Sequence, residues 1–128
     1  MNIDLIYGLP FIAVTICYKG QELILEHVLL DTGSAGTIFN ADIVDQIGVN
    51  VEPGDFLSTI RGVGGVEVVY SKRLDFVRIG EISLQEFEVE IGEMNYGMSD
   101  GILGFDFIRS TGMIIHSKEL RISLTGVI

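Results

Sequence analysis

The chain has 128 residues, 48% of them hydrophobic, with 16 glycines and only 2 prolines. That composition argues against disorder, and residues 1–128 fit one turn-rich domain able to bury about two thirds of the surface its unfolded form exposes. With 18 acidic residues against 8 basic ones the formal net charge is −10. The basic residues form no cluster that could override it, so phosphate backbones and anionic lipids are repelled, and neither nucleic acid nor a membrane surface is expected as a partner.

Cys17 is the only cysteine, which excludes an intramolecular disulfide. It is expected as a buried thiol, and a reduced, cytoplasmic protein follows as the default. The apolar stretch Leu5 to Cys17 carries Gly8 and Pro10 and is too short to span a bilayer. Phe11 to Tyr18 and Glu22 to Leu30, joined by Lys19-Gly20-Gln21, predict a β-hairpin whose second strand runs straight into Asp31. Asn40 is placed to cap a short helix from Ala41 to Ile47, with Gly48 as its stop.

From Phe56 onward β patterning returns. Ser58 to Arg61, then Val66 to Tyr70 and Leu74 to Ile79, flank the glycines at 62, 64 and 65 and predict a second hairpin with a glycine-rich tip. Phe87, Val89 and Ile91 alternate with Glu86, Glu88 and Glu90, predicting a strand with one buried and one charged, solvated face. Asp106, Phe107 and Ile108 start a short helix after Gly104, and Met113 to His116 and Leu120 to Leu124 read as closing strands.

Most residue types that could carry chemistry point nowhere. The 62–65 glycines are followed by no Lys-Ser or Lys-Thr and lie between strands, so they do not form a phosphate-cradling loop. His27 and His116 lack neighbouring cysteine or histidine ligands, so no metal and no other cofactor is expected. Ser34 has no histidine partner in a nucleophile-elbow context, which disfavours a serine hydrolase.

Asp31-Thr32-Gly33-Ser34 on its own is an ordinary polar turn after a strand. It is joined, in order, by Ile60-Arg61-Gly62-Val63-Gly64-Gly65 and by Asp100-Gly101-Ile102-Leu103-Gly104 ahead of a helix. Together these three segments resemble the retropepsin-like, single-domain aspartic peptidases over nearly the whole chain, Phe11 to Leu124. Ser34-Ala35 and the Asp100 to Phe105 element are closer to the pepsin type than to the retroviral one, so the chain is most similar to a cellular or bacterial relative.

The resemblance implies an all-β, closed-barrel fold with a flap hairpin and one or two short helices. It implies that Asp31 is catalytic, supported by Thr32, Gly33 and Ser34. It makes Ile60, Arg61, Gly62, Val63, Gly64 and Gly65 a flap over substrate, without the nearby tyrosine of the pepsin type, and packs Ile102, Leu103 and Gly104 beneath the active-site loop.

Because the loop occurs once and the chemistry needs two aspartates, a homodimeric aspartic endopeptidase acting on peptide or protein substrates is implied. The alternative is a non-catalytic peptide-binding or dimerisation module of the same fold. Two close Asp31 carboxylates cannot both ionise cheaply and hold one proton between them. Ser34 is expected to donate to the outer oxygen of Asp31, and activity is expected at acidic pH. Retroviral relatives interleave both chain ends across the dimer; Met1-Asn2-Ile3 and Gly126-Val127-Ile128 are apolar enough to do so, with other arrangements left open.

Overall fold

A computed structural model describes residues 1–62, 65–93 and 99–124. Its strands are β1 (Asp4–Ile6), β2 (Leu9–Tyr18), β3 (Gln21–Leu30), β4 (Ile38–Asn40), β5 (Leu57–Gly62), β6 (Gly65–Ile79), β7 (Ile82–Gly92), β8 (Gly101–Leu103), β9 (Ile114–His116) and β10 (Arg121–Ser123). Two short helices, α1 (Ala41–Val44) and α2 (Phe105–Thr111), complete it, α1 running on into a single 3₁₀ turn over Asp45–Ile47.

Eight strands form one sheet in the order β1-β2-β3-β8-β4-β7-β6-β5, and an extra pairing of β2 with β6 joins β2, β3, β8, β4, β7 and β6 into a hydrogen-bonded ring. Closing the sheet removes exposed edges from all but the outermost strands. The interior is filled by alternate strand residues: Ile12, Val14, Ile16, Leu25, Val28, Leu74, Val77, Ile91 and Leu103 pack with Phe39 and Phe107 in one apolar cluster.

The predicted hairpin of β2 and β3 is present, turning through Lys19 and Gly20 at φ 48° and 82°. Such a left-handed pair matches the twist of the flanking strands, and Gly20 adopts it without steric cost. Asn40 caps α1, its side chain accepting a 3.0 Å bond from the Asp42 amide, and Gly48 closes the 3₁₀ turn at φ 82°.

Two stretches expected as separate strands are one. β6 runs unbroken across Ser71, Lys72 and Arg73, which pair with Glu90, Val89 and Glu88 of β7. A polar run persists there because Lys72, only 7% exposed, has carboxylate partners: its Nζ lies 2.8 Å from both Glu52 Oε1 and Asp55 Oδ2. The Glu52 amide also donates to Asp55 Oδ2 at 2.7 Å, and the Tyr18 hydroxyl to Glu52 Oε1 at 3.2 Å. The segment leading into β5 is thus fastened to the stem of the β5–β6 hairpin.

Burial opposes the Lys72 charge, but the hydrogen bonds it donates to Asp55 and Glu52 outweigh it and hold the ammonium above its ordinary range. The same bonds to Lys72 lower both carboxylates. A carboxylate lowered by folding stabilises the fold above its unfolded value, about 4, and that contribution fades as pH falls through the folded value. Lys72→Met is therefore expected to lower the melting temperature at neutral pH by a margin that closes below about pH 4. Thermal melts of the two proteins across pH 3 to 8 check this; a gap independent of pH contradicts it.

Candidate active site

β3 ends at Leu30 and delivers Asp31 onto the ring's rim, where the Asp31 amide donates to the Leu103 carbonyl at 3.0 Å. β8 lies parallel to β3, with Leu29 opposite Ile102 and Leu30 opposite Leu103, so the Ile102-Leu103-Gly104 element sits directly beneath the loop. Leu103 is fully buried and Ile102 packs against Ile38 and Val69.

The loop itself is tightly tied. The Gly33 amide donates to Asp31 Oδ1 at 2.9 Å, and the Ser34 amide to the Asp31 carbonyl at 3.2 Å. An amide aimed at one carboxylate oxygen fixes the side-chain rotamer. Asp31 stays partly exposed and Thr32 and Gly33 are exposed.

Ser34 departs from expectation. Its hydroxyl donates to the Gly36 carbonyl at 2.8 Å and not to Asp31. A hydroxyl has one proton to give, so the fixed donor to the carboxylate is the Gly33 amide. Ser34 instead braces the descending half of the loop, and its own carbonyl accepts from the Phe105 amide at 2.7 Å.

Gly104 is where the loop and its support come closest. A Cβ built there would lie 2.2 Å from the Gly36 oxygen and 2.9 Å from the Ser34 oxygen, both backbone atoms. Its φ of −92° is open to any residue, so the demand for glycine is one of space.

Two residues not singled out from the sequence complete the support. Thr37, 1% exposed, accepts from the Gly104 amide at 3.0 Å and donates through Oγ1 to Asp106 Oδ1 at 2.7 Å. Asp106 Oδ2 accepts from the Thr37 amide at 3.2 Å, and its Oδ1 also takes the Phe107 amide at 2.8 Å in the first turn of α2. Loop, element and helix are thereby latched by one side-chain pair. An acidic residue opening a helix is a visible sequence feature, but nothing in the sequence assigns it to Thr37.

Thr37→Val removes the hydroxyl and leaves the Gly104 amide unpaired in a buried place, which is expected to cost about 2 kcal/mol. Thr37→Ser keeps the hydroxyl and is expected to lose less; chemical denaturation of both variants checks the order.

Beside the latch, Ala35, Gly36, Ser71, Glu88 and Glu90 border an open cleft of about 350 Å³. Glu90 is half-buried, where the alternating acidic run was expected to lie wholly in solvent. Burial, and secondly the Asp106 charge, push its carboxyl above its ordinary value. Among the described residues no group of His, Cys, Asp and Glu side chains could hold a metal ion.

The predicted flap is a hairpin: β5 pairs antiparallel with β6 from Leu57 opposite Tyr70 to Gly62 opposite Gly65, with Ile60 opposite Glu67 and Arg61 opposite Val66. Its tip residues Val63 and Gly64 lie outside the described residues. His116 is a strand residue bonded to Ser123 Oγ at 2.7 Å, and the Cys17 thiol is buried.

The N-terminal segment is hydrogen-bonded within its own chain. The Ile122 amide donates to the Met1 carbonyl at 2.7 Å, the Ile3 amide to the Leu120 carbonyl at 2.8 Å, and Asn2 bridges Arg121 of β10. Residues 126–128 lie outside the described residues. No helix among the described residues is long and apolar enough to cross a membrane.

A family model described as aspartyl protease matches residues 13–107. The structure is similar to the crystal structure of a retropepsin-like aspartic protease from Rickettsia conorii. The alignment covers 96% of this chain and 97% of the other at TM-score 0.69, with 17% sequence identity. No curated protein matches the chain.

Proposed function

Since the chain belongs to the aspartyl protease family and has a retropepsin-like fold, we propose that it is an aspartic endopeptidase whose active centre forms when two copies bring their Asp31 carboxylates together. The observation that carries this reading is the Asp31 loop: a partly exposed carboxylate at a strand end, with Oδ1 held by the Gly33 amide and the backbone tied to Leu103 and Phe105.

Two such carboxylates share one proton, because two adjacent negative charges are costly. The charged member takes a proton from a water held between them as the water oxygen attacks the scissile carbonyl carbon. The protonated member gives its proton to the carbonyl oxygen, so the carbonyl π bond opens to a tetrahedral diol. Collapse re-forms the carbonyl, breaks the C–N bond, and passes a proton to the departing amine. The pair ends with its single proton restored, and no covalent enzyme intermediate and no metal enter the cycle.

Thr32, exposed next to Asp31, serves in this reading to bond across the axis and hold the two loops in register. The β5–β6 hairpin serves as the flap; Leu57 and Val68 on its strands are 65% and 63% exposed and offer apolar surface to a peptide. Since the cycle needs a shared proton, activity is expected on the acid side of neutrality.

The test is hydrolysis of a diverse peptide library by purified protein at acid pH, with cleavage sites read by mass spectrometry. A non-catalytic peptide-binding module of the same fold binds without turnover, and that outcome replaces the proposal.

A further inference from the structure

We propose that Glu90 is a pH-dependent positioning residue for the Asp31 loop: neutral, its carboxyl rests against Gly36, and ionised, it is driven from there by the Asp106 carboxylate, so that the loop loosens as pH rises. The consequence for cleavage rests on the proposed function; the response of the loop does not.

Backbone pairing puts Glu90 beside the loop. On one side it lies opposite Ile38 of β4, its amide donating to the Thr37 carbonyl at 2.9 Å, and on the other it lies opposite Ser71 of β6. A Cβ built on Gly36 would stand 3.1 Å from Glu90 Oε1, so the carboxyl covers that glycine on the cleft side. Gly36 is the middle of the brace: its carbonyl takes the Ser34 hydroxyl, and the next residue, Thr37, is held by Asp106.

The two carboxyl groups are unequally placed. Asp106 accepts from the Thr37 hydroxyl, the Phe107 amide and the Thr37 amide, and with three donors on it cannot turn away. Nothing among the described residues donates to the Glu90 carboxyl. Ionising it leaves a half-buried charge without a hydrogen bond near a second anion, which is costly, and the open cleft gives it a way out. Burial and the Asp106 charge accordingly push it above its ordinary value.

Other charges nearby do not neutralise it. Glu88, on the same face of β7, and Arg73, opposite Glu88 on β6, are exposed, as is Arg109 one turn along α2 from Asp106. Neither arginine pairs with Glu90 among the described residues. Lys72, next to Ser71, is engaged by Glu52 and Asp55. β4 and the segment Ala35-Gly36-Thr37 carry no titratable side chain.

The folded chain therefore keeps this proton to higher pH than the unfolded chain does. The resulting penalty is absent below the unfolded value of about 4, grows until pH passes the folded value, and is constant above it. Glu90→Gln, neutral at every pH, escapes it.

The loop is tested by nuclear magnetic resonance in Asp31→Asn protein, where Asp31 itself cannot titrate. The amide signals of Gly36 and Thr37 are expected to move together with a midpoint above about 4.3, the free glutamate value. Adding Glu90→Gln should abolish that movement, and adding Glu88→Gln, the control for a charge lost from the same cleft, should leave it. In thermal melts Glu90→Gln should exceed its parent at neutral pH by a gap that closes below about pH 4.

With Asp31 intact, the kcat of Glu90→Gln relative to wild type is expected to rise from about one at pH 4 to about three or more at pH 7, with the KM ratio unchanged. Amide signals that ignore Glu90→Gln overturn the inference and leave the proposed function standing. So does a kcat ratio that is the same at both pH values, because the carboxyl then titrates without steering the site; a change in KM alone would make the cleft a substrate contact instead. If the amides follow Glu90 but no protein cleaves at any pH, the switch in the loop stands and the proposed function fails.

Discussion

Asp31→Asn is expected to abolish peptide cleavage, lowering kcat by about a thousandfold or more, while changing stability by less than about 0.5 kcal/mol. The two parts of that result have separate causes. Asparagine keeps an Oδ1 able to accept the 2.9 Å bond from the Gly33 amide, and the backbone bonds from Asp31 to Leu103 and from Ser34 to Asp31 do not involve the side chain. The loop therefore keeps its shape. What asparagine lacks is the capacity to take or share a proton at these pH values, and without it neither the attacking water nor the leaving amine is served. A thermal melt beside the peptide assay checks both parts, and a variant that cleaves as fast as wild type sinks the mechanism.

Gly104→Ala is expected to have the largest effect on the scaffold. The added methyl carbon meets the backbone carbonyls of Gly36 and Ser34 from 2.2 and 2.9 Å. Neither can swing aside like a side-chain tip, because Ser34 O accepts from the Phe105 amide and Gly36 O from the Ser34 hydroxyl. The loop and β8 must separate, pulling on the Thr37 bond to the Gly104 amide and on the Leu103 carbonyl that anchors Asp31. A cost of about 3 kcal/mol, and a fall in melting temperature of the order of 10 °C, is expected. Activity should be lost even at temperatures where the variant remains folded, since the displaced segment is the one that aims the carboxylate. Denaturation and residual cleavage at low temperature measure the two effects; an alanine variant of unchanged stability means the close approach is not real.

The parts of this fold legible in the sequence are those with local signals. The hairpin of β2 and β3 carries its own turn residues, and the Asn40 cap and Gly48 stop bound α1 and its 3₁₀ turn. The alternating β7 segment also declares its strand, although Glu86 sits at φ 49° and interrupts the pairing with β6. Strands β1, β4 and β8 were not legible: each spans only three residues, and β4 and β8 find their partners far away in the chain. β4, for example, pairs with β7 in parallel and with β8 in antiparallel fashion.

The site divides the same way. Asp31 and the Ile102-Leu103-Gly104 element stand out as motif, and the structure sets them one above the other. The Thr37–Asp106 latch links residues 69 positions apart, a distance across which single-sequence patterning carries no signal. The destination of the Ser34 hydroxyl was misread for a related reason: the Gly36 carbonyl becomes its acceptor only when the loop folds back over Gly104. Lys72 likewise looked like a break between strands because its partners, Glu52 and Asp55, arrive from a separate segment.

An active centre made from two chains has a signature in a mixing experiment. Wild type and Asp31→Asn protein, combined in equal amounts and left to exchange subunits, form mixed dimers that have a single aspartate. If both aspartates are required, the mixture keeps about a quarter of the activity of the same total amount of wild type, the fraction of dimers that are wild type on both sides. A mixture keeping about one half, as independent chains would, means that each chain works alone and that no centre is shared.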